Sequence, residues 1–203
     1  MYQRIWTMVY SFLMFILVRN AVQYALLALL YQLAQSGATG GLVDLLILRD
    51  ETGAYNGYSG DVSSIIAALG FIGGALAVWS TAKLLITKNK EDMHLSHLKK
   101  EGKAKYALLV AATIGAVIGF NLLFELLGVT NKSEAYTEVA AQQYSAHFIV
   151  GILVFGFISP IAEELLFRGV IYGYLRRFLN LRLAIALSAL IFGVYHMNYV
   201  QGV

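Results

Sequence analysis

The feature that most constrains this chain is a series of five apolar stretches: Ile5 to Leu33, Val62 to Ile86, Tyr106 to Val129, Phe148 to about Tyr174, and Leu183 to Tyr199. A helix needs about 20 apolar residues to cross the hydrocarbon of a bilayer, and all five reach or approach that length. Inside lipid the backbone amides must be bonded within their own segment, which makes helices the expected form. Composition agrees: 59% of the residues are hydrophobic and 13% are charged, against roughly 25% charged in soluble domains. So apolar a chain has ample surface to bury, which excludes disorder. The expected fold class is therefore all-α, a polytopic transmembrane helical bundle of about five spanning helices. It forms a single membrane domain over residues 1–203, with generic transmembrane helices in 1–130 and a motif-bearing hairpin in 147–203.

The first stretch does not read as a signal peptide, because its apolar character runs past Arg19 to Leu33 with no small-residue cleavage site. Lysine and arginine in short loops set orientation. Seven lysines lie between Lys83 and Lys105 and three arginines between Arg176 and Arg182, so both connections are expected to be cytoplasmic. The connections Gln35 to Asp61 and Thr130 to Ala146 carry more acids than bases, and are expected outside. This arrangement places the N terminus in the cytoplasm. The net charge of +3 thus reports topology, and no nucleic-acid partner is expected. The short apolar run Leu42 to Leu48 is expected at the interface. Gly70, Gly73, Gly74, Gly115 and Gly119 have the spacing of close helix packing.

Ionisable groups within a span each cost roughly 2.5 to 3.5 kcal/mol on insertion scales, so they mark where chemistry is sought. The fourth span holds three in the string PIAEELLFRGV: Glu163, Glu164 and Arg168, with Pro160 just before them. At about 100° per residue, Arg168 lies some 40° round from Glu164 but about 140° from Glu163. Glu164 and Arg168 are expected to pair, leaving Glu163 without a local cation and suited to act as a general base. Pro160 lacks an N–H, frees the carbonyl of Gly156 and opens the helix where polar groups gather. Glu163 and His196 each lie 14 residues from the turn between their helices, about 21 Å along each. In an antiparallel hairpin they meet at one depth, with Phe192 one turn before His196 to wall the imidazole. Two acids and a histidine at one buried level make a site for activating water; the alternative is a polar cluster that only holds the bundle together.

These residues resemble a known family. Pro160, Glu163, Glu164 and Arg168 look like the E-E-x-x-x-R motif, and Phe192 with His196 like the F-x-x-x-H motif, of the CAAX protease and bacteriocin-processing intramembrane endopeptidases. That family includes the type II CAAX prenyl endopeptidases and the Abi-type proteins. The resemblance covers roughly Phe148 to Val203. It implies a membrane protease in which Glu163 activates water with His196 assisting, while Glu164 and Arg168 support. The implied partners are the lipid bilayer and a membrane-associated or prenylated peptide substrate, and the implied location is a bacterial plasma membrane. The family carries a third motif, a second histidine followed four residues later by Asn or Asp, for which no residue here is available. The sequence is accordingly expected to be an N-terminal piece of a longer protein, the alternative being a truncated, inactive member of the family. A divalent metal such as zinc is left open, with Glu163, Glu164 and His196 as its candidate ligands. A different class of function, a bacteriocin-immunity factor or a transporter fragment, would use the same cluster structurally.

Weaker signals have simpler explanations. Ser59 in Gly57-Tyr58-Ser59-Gly60 formally matches a rhomboid-type serine motif, but Ser59 or Asp61 as the cap of the second span accounts for it better. His94 and His97 lie in the lysine-rich loop, and solvation is expected to outweigh metal binding there. His147 is expected to be structural. Arg19 and Glu125, charges within the first and third spans, are expected to neutralise each other.

Overall fold

The computed structural model of the chain describes residues 2–37, 40–92, 102–128, 137, 141 and 144–196. It is helical almost throughout. Helix α1 spans Tyr2–Gln35, a short α2 covers Leu42–Leu46, and strands β1 (Ile47–Arg49) and β2 (Tyr55–Tyr58) form an antiparallel hairpin. Helix α3 runs Gly60–Asp92 and α4 Lys103–Leu126. The motif-bearing part is a long helix, α5 (Phe148–Leu175), followed by α6 (Leu181–Tyr195). Among the described residues, three helices are long and apolar enough to cross a membrane, Ile5–Gln35, Gly60–Lys88 and Phe148–Leu175, and two apolar helices are shorter, Ala104–Ala116 and Leu181–Tyr195. The run expected at the interface becomes α2 and the first residues of the hairpin, and His94, His97 and Tyr199 to Val203 lie outside the described residues.

Glycines set how closely these helices approach. A Cβ on Gly73 would lie 3.1 Å from Val22, and one on Gly74 3.0 Å from the carbonyl oxygen of Phe15. Since position 23 of α1 meets 70 of α3 and position 15 meets 74, the two helices run antiparallel. Lipid tails are as apolar as the side chains, so such close packing is what holds membrane helices together. Gly115 and Gly119 do not serve this way: nothing lies within 4 Å of a Cβ there. They sit on α4, whose described side chains from Ala104 to Leu127 are all exposed.

Helix α5 is the hub. Its buried Ala162, Leu166, Phe167, Val170 and Ile171 pack with Phe15 of α1 and with Phe71, Val78, Ala82 and Leu85 of α3. A Cβ on Gly169 would come 3.1 Å from that of Ala82. At the start of α3, Ser59 Oγ accepts from the Val62 amide at 3.4 Å, the expected cap. Asp61 does something else. Its carboxylate accepts from the His147 amide at 2.6 Å and lies 2.5 Å from His147 Nδ1, tying the starts of α3 and α5 together. His147 is thus structural, as expected, and α3 and α5 run parallel.

Candidate active site

Pro160 shapes the helix that carries the site. Its missing N–H deprives the Gly156 carbonyl of its usual partner, and the residues before it, Ile152–Ile158, are wound as a π-helix. Ser159 bonds back five residues, to the Val154 carbonyl. A single α-helical stretch, Ser159–Glu164, follows, and then a second π-helix over Leu165–Tyr172. π-Helical turns are rare and cluster at functional sites. Here they flank the two glutamates, and the carbonyl of Phe167 within the second one also accepts from Ser188 Oγ of α6 at 3.3 Å.

The two adjacent carboxylates then part. Glu164 points outward and pairs with Arg168, Oε2 to Nε 2.9 Å, with both side chains more than half exposed. The pair sits between two clefts. One, of about 520 Å³, lies between α5 and α6 and is lined by Phe167, Tyr172, Ile185, Ser188 and Phe192 among others. The other, of about 430 Å³, is bounded by Pro160, Ile161, Gly169 and Ile86 of α3. Glu163 points the other way, into the bundle, where it is half-buried and accepts from Ser159 Oγ at 3.3 Å.

Around Glu163 the structure gathers residues from three helices. Arg19 of α1 interacts electrostatically with both Glu163 and His196, and Tyr195 interacts with Glu163. An Arg19 Nη1 donates to the Tyr195 hydroxyl, and the guanidinium lies 4.1 Å over the ring of Phe71. Phe192 and His196 meet edge to face at 4.7 Å, and Phe167 contacts Phe192 at 4.9 Å and Tyr195 at 5.1 Å. The imidazole therefore stands at the end of an aromatic wall, beside Phe192 and Tyr195.

This geometry changes one expectation: Arg19 bonds to Tyr195 and interacts with Glu163 rather than with Glu125, which is exposed on α4. Glu163 has no cation on its own helix, because Arg168 pairs with Glu164. Of the three residues left open as metal ligands, Glu164 turns outward to Arg168, away from Glu163. Among the described residues no cluster of three or more His, Asp or Glu could hold a metal ion. Arg19, Tyr195 and Ser159 were missed as site residues. Ser159, four residues before Glu163 on one helix face, carried a readable signal; the place of Tyr195 depends on how α1 meets α6.

The geometry can be set against known proteins. Residues 145–203 match the model of the family described as type II CAAX prenyl endopeptidase Rce1-like. No curated protein and no solved structure matches the chain. The Rce1-like segment contains α5 and α6 whole, with Pro160, Glu163, Glu164, Arg168, Phe192 and His196, whereas Arg19 and Phe71 lie outside it. The apolar spans describe an integral membrane protein, and its segment 145–203 is similar to a family of CAAX prenyl endopeptidases.

Proposed function

We propose that the protein is an intramembrane endopeptidase that hydrolyses a peptide bond in a membrane-associated or prenylated substrate. Glu163 is the general base: it takes a proton from water as the oxygen attacks the scissile carbonyl, and returns it to the leaving amine as the C–N bond breaks. His196 assists by hydrogen bonding to the water or to the developing oxyanion. Glu164 and Arg168 support the helix at the cleft between α5 and α6, whose apolar lining suits an isoprenyl or other apolar part of the substrate. The unit that does this is the hairpin over 147–203, and the lysine-rich connection, with the N terminus, faces the cytoplasm. One observation supports the reading: Glu163 and His196, on successive helices of the Rce1-like segment, both interact electrostatically with Arg19. Reconstituted in liposomes with a farnesylated probe peptide, the protein should cleave it, and Glu163→Gln and His196→Ala should each lower turnover by about 10² or more. Unchanged cleavage by Glu163→Gln, in a protein that still folds, would remove the role assigned to it.

A further inference from the structure

Arg19 is a costly residue to place within a span, and its surroundings show what it is used for. It lies in the middle of α1, far in sequence from the Rce1-like segment. Its guanidinium is gripped from three sides. The Tyr195 hydroxyl accepts one of its N–H groups, the ring of Phe71 lies 4.1 Å beneath it, and the charge of Glu163 faces it from α5. Its Nε is buried without a hydrogen-bond partner, so the guanidinium is held through its terminal N–H group and its face. Tyr195 directly precedes His196 at the end of α6, where regular hydrogen bonding runs out: the His196 amide reaches the Phe192 carbonyl at 3.4 Å.

We propose that Arg19 is a positioning residue for the hydrolytic site: by holding the Tyr195 hydroxyl while facing the Glu163 carboxylate, it fixes the end of α6, and with it His196, opposite the general base. The inference rests on the function proposed above and extends it, since it makes α1 part of the catalytic apparatus although the family match begins at residue 145. Three chemical features make arginine suitable. Its planar fork can donate to a phenol and face a carboxylate at once, it stacks on an aromatic ring, and it keeps its charge in a water-poor site. Lysine offers a point charge on a flexible stem and would reproduce only the charge.

The test uses the whole protein in liposomes, with kcat and KM measured for the farnesylated probe peptide alongside thermal unfolding. Arg19→Ala and Arg19→Lys should lower kcat by roughly 10- to 100-fold and leave KM within about twofold, as expected when a small misplacement disturbs reacting groups. Tyr195→Phe keeps the ring packing and removes the accepting oxygen, so it tests the same link without a large change of volume. It should reproduce most of the kcat loss with an unchanged unfolding temperature, and the Arg19→Ala, Tyr195→Phe double variant should be no worse than Arg19→Ala alone. Wild-type kcat in Arg19→Ala, or losses in the double variant that simply multiply, would overturn the proposal. Glu163→Gln, run in the same assay, separates the two claims. If it is inactive while Arg19→Ala is normal, only the positioning role fails; if it is active, the role of Glu163 as general base and this extension fail together.

Discussion

At the scale of single residues, the readable contacts were those made within one helix. The spacing of four predicted the Glu164–Arg168 pair and the Phe192–His196 contact, and both are present at 2.9 Å and 4.7 Å. The partner of Arg19 was not readable, because Tyr195, Phe71 and Glu163 reach it only once α1, α3, α5 and α6 have assembled. Away from the spans, the β-hairpin holds a carboxylate whose titration can be followed. The Thr52 hydroxyl at 2.6 Å, and next the Ala54 amide at 2.9 Å, hold the Asp50 carboxyl below the usual carboxylate range. A depressed folded value means the stabilisation is present above the unfolded value, near 4, and is lost as pH falls through the folded one. Amide exchange at Thr52 to Ala54 should therefore quicken below about pH 4, and Asp50→Asn should make it insensitive to acid. In the same hairpin, burial and the neighbouring Tyr58 push the Tyr55 phenol up to about 12. Its neutral form is the stabilised one, so the hairpin should loosen between about pH 10 and about 12, and the phenolate absorbance titration lost in Tyr55→Phe should be the late one.

At the scale of elements, hydropathy located the helices but not their neighbours. Gly70, Gly73 and Gly74 face α1 tightly, whereas Gly115 and Gly119, of the same spacing, face nothing within 4 Å. Spacing marks a helix face, and only assembly determines whether another helix uses it. The distinction predicts opposite outcomes for two glycines. Gly169→Val should drive a branched side chain into Ala82 and destabilise the α3–α5 contact by about 1 to 3 kcal/mol, seen as earlier thermal or denaturant unfolding. Gly115→Ala should be neutral or stabilising by up to about 1 kcal/mol, through helix propensity alone. Pro160 was readable as a disturbance of the helix, but the two π-helical stretches it lies between were not. A residue can reveal that a hydrogen bond is missing, while the rewinding that absorbs the loss is shared along the helix and against its neighbours.

At the scale of the whole molecule, the exposed surface is itself apolar, as a bilayer requires. Trp6 and Trp79, the two tryptophans of the chain, are each 56% exposed on α1 and α3. Lipids brominated along their acyl chains should therefore quench both in liposomes, and Trp79→Phe should leave only the Trp6 share. The bundle's polar residues divide between this surface and the interior, with Glu164 and Arg168 outward at the clefts and Glu163 inward toward Arg19. That division is the central claim, because it assigns different work to two adjacent glutamates. The most direct test compares the turnover of Glu163→Gln and Glu164→Gln on the same farnesylated peptide, each checked for folding. Glu163→Gln should fall by about 10² to 10⁴. Glu164→Gln, which breaks an exposed pair worth about 0 to 1 kcal/mol, should lose less than about tenfold. Equal losses, or the larger loss at Glu164, would contradict the account.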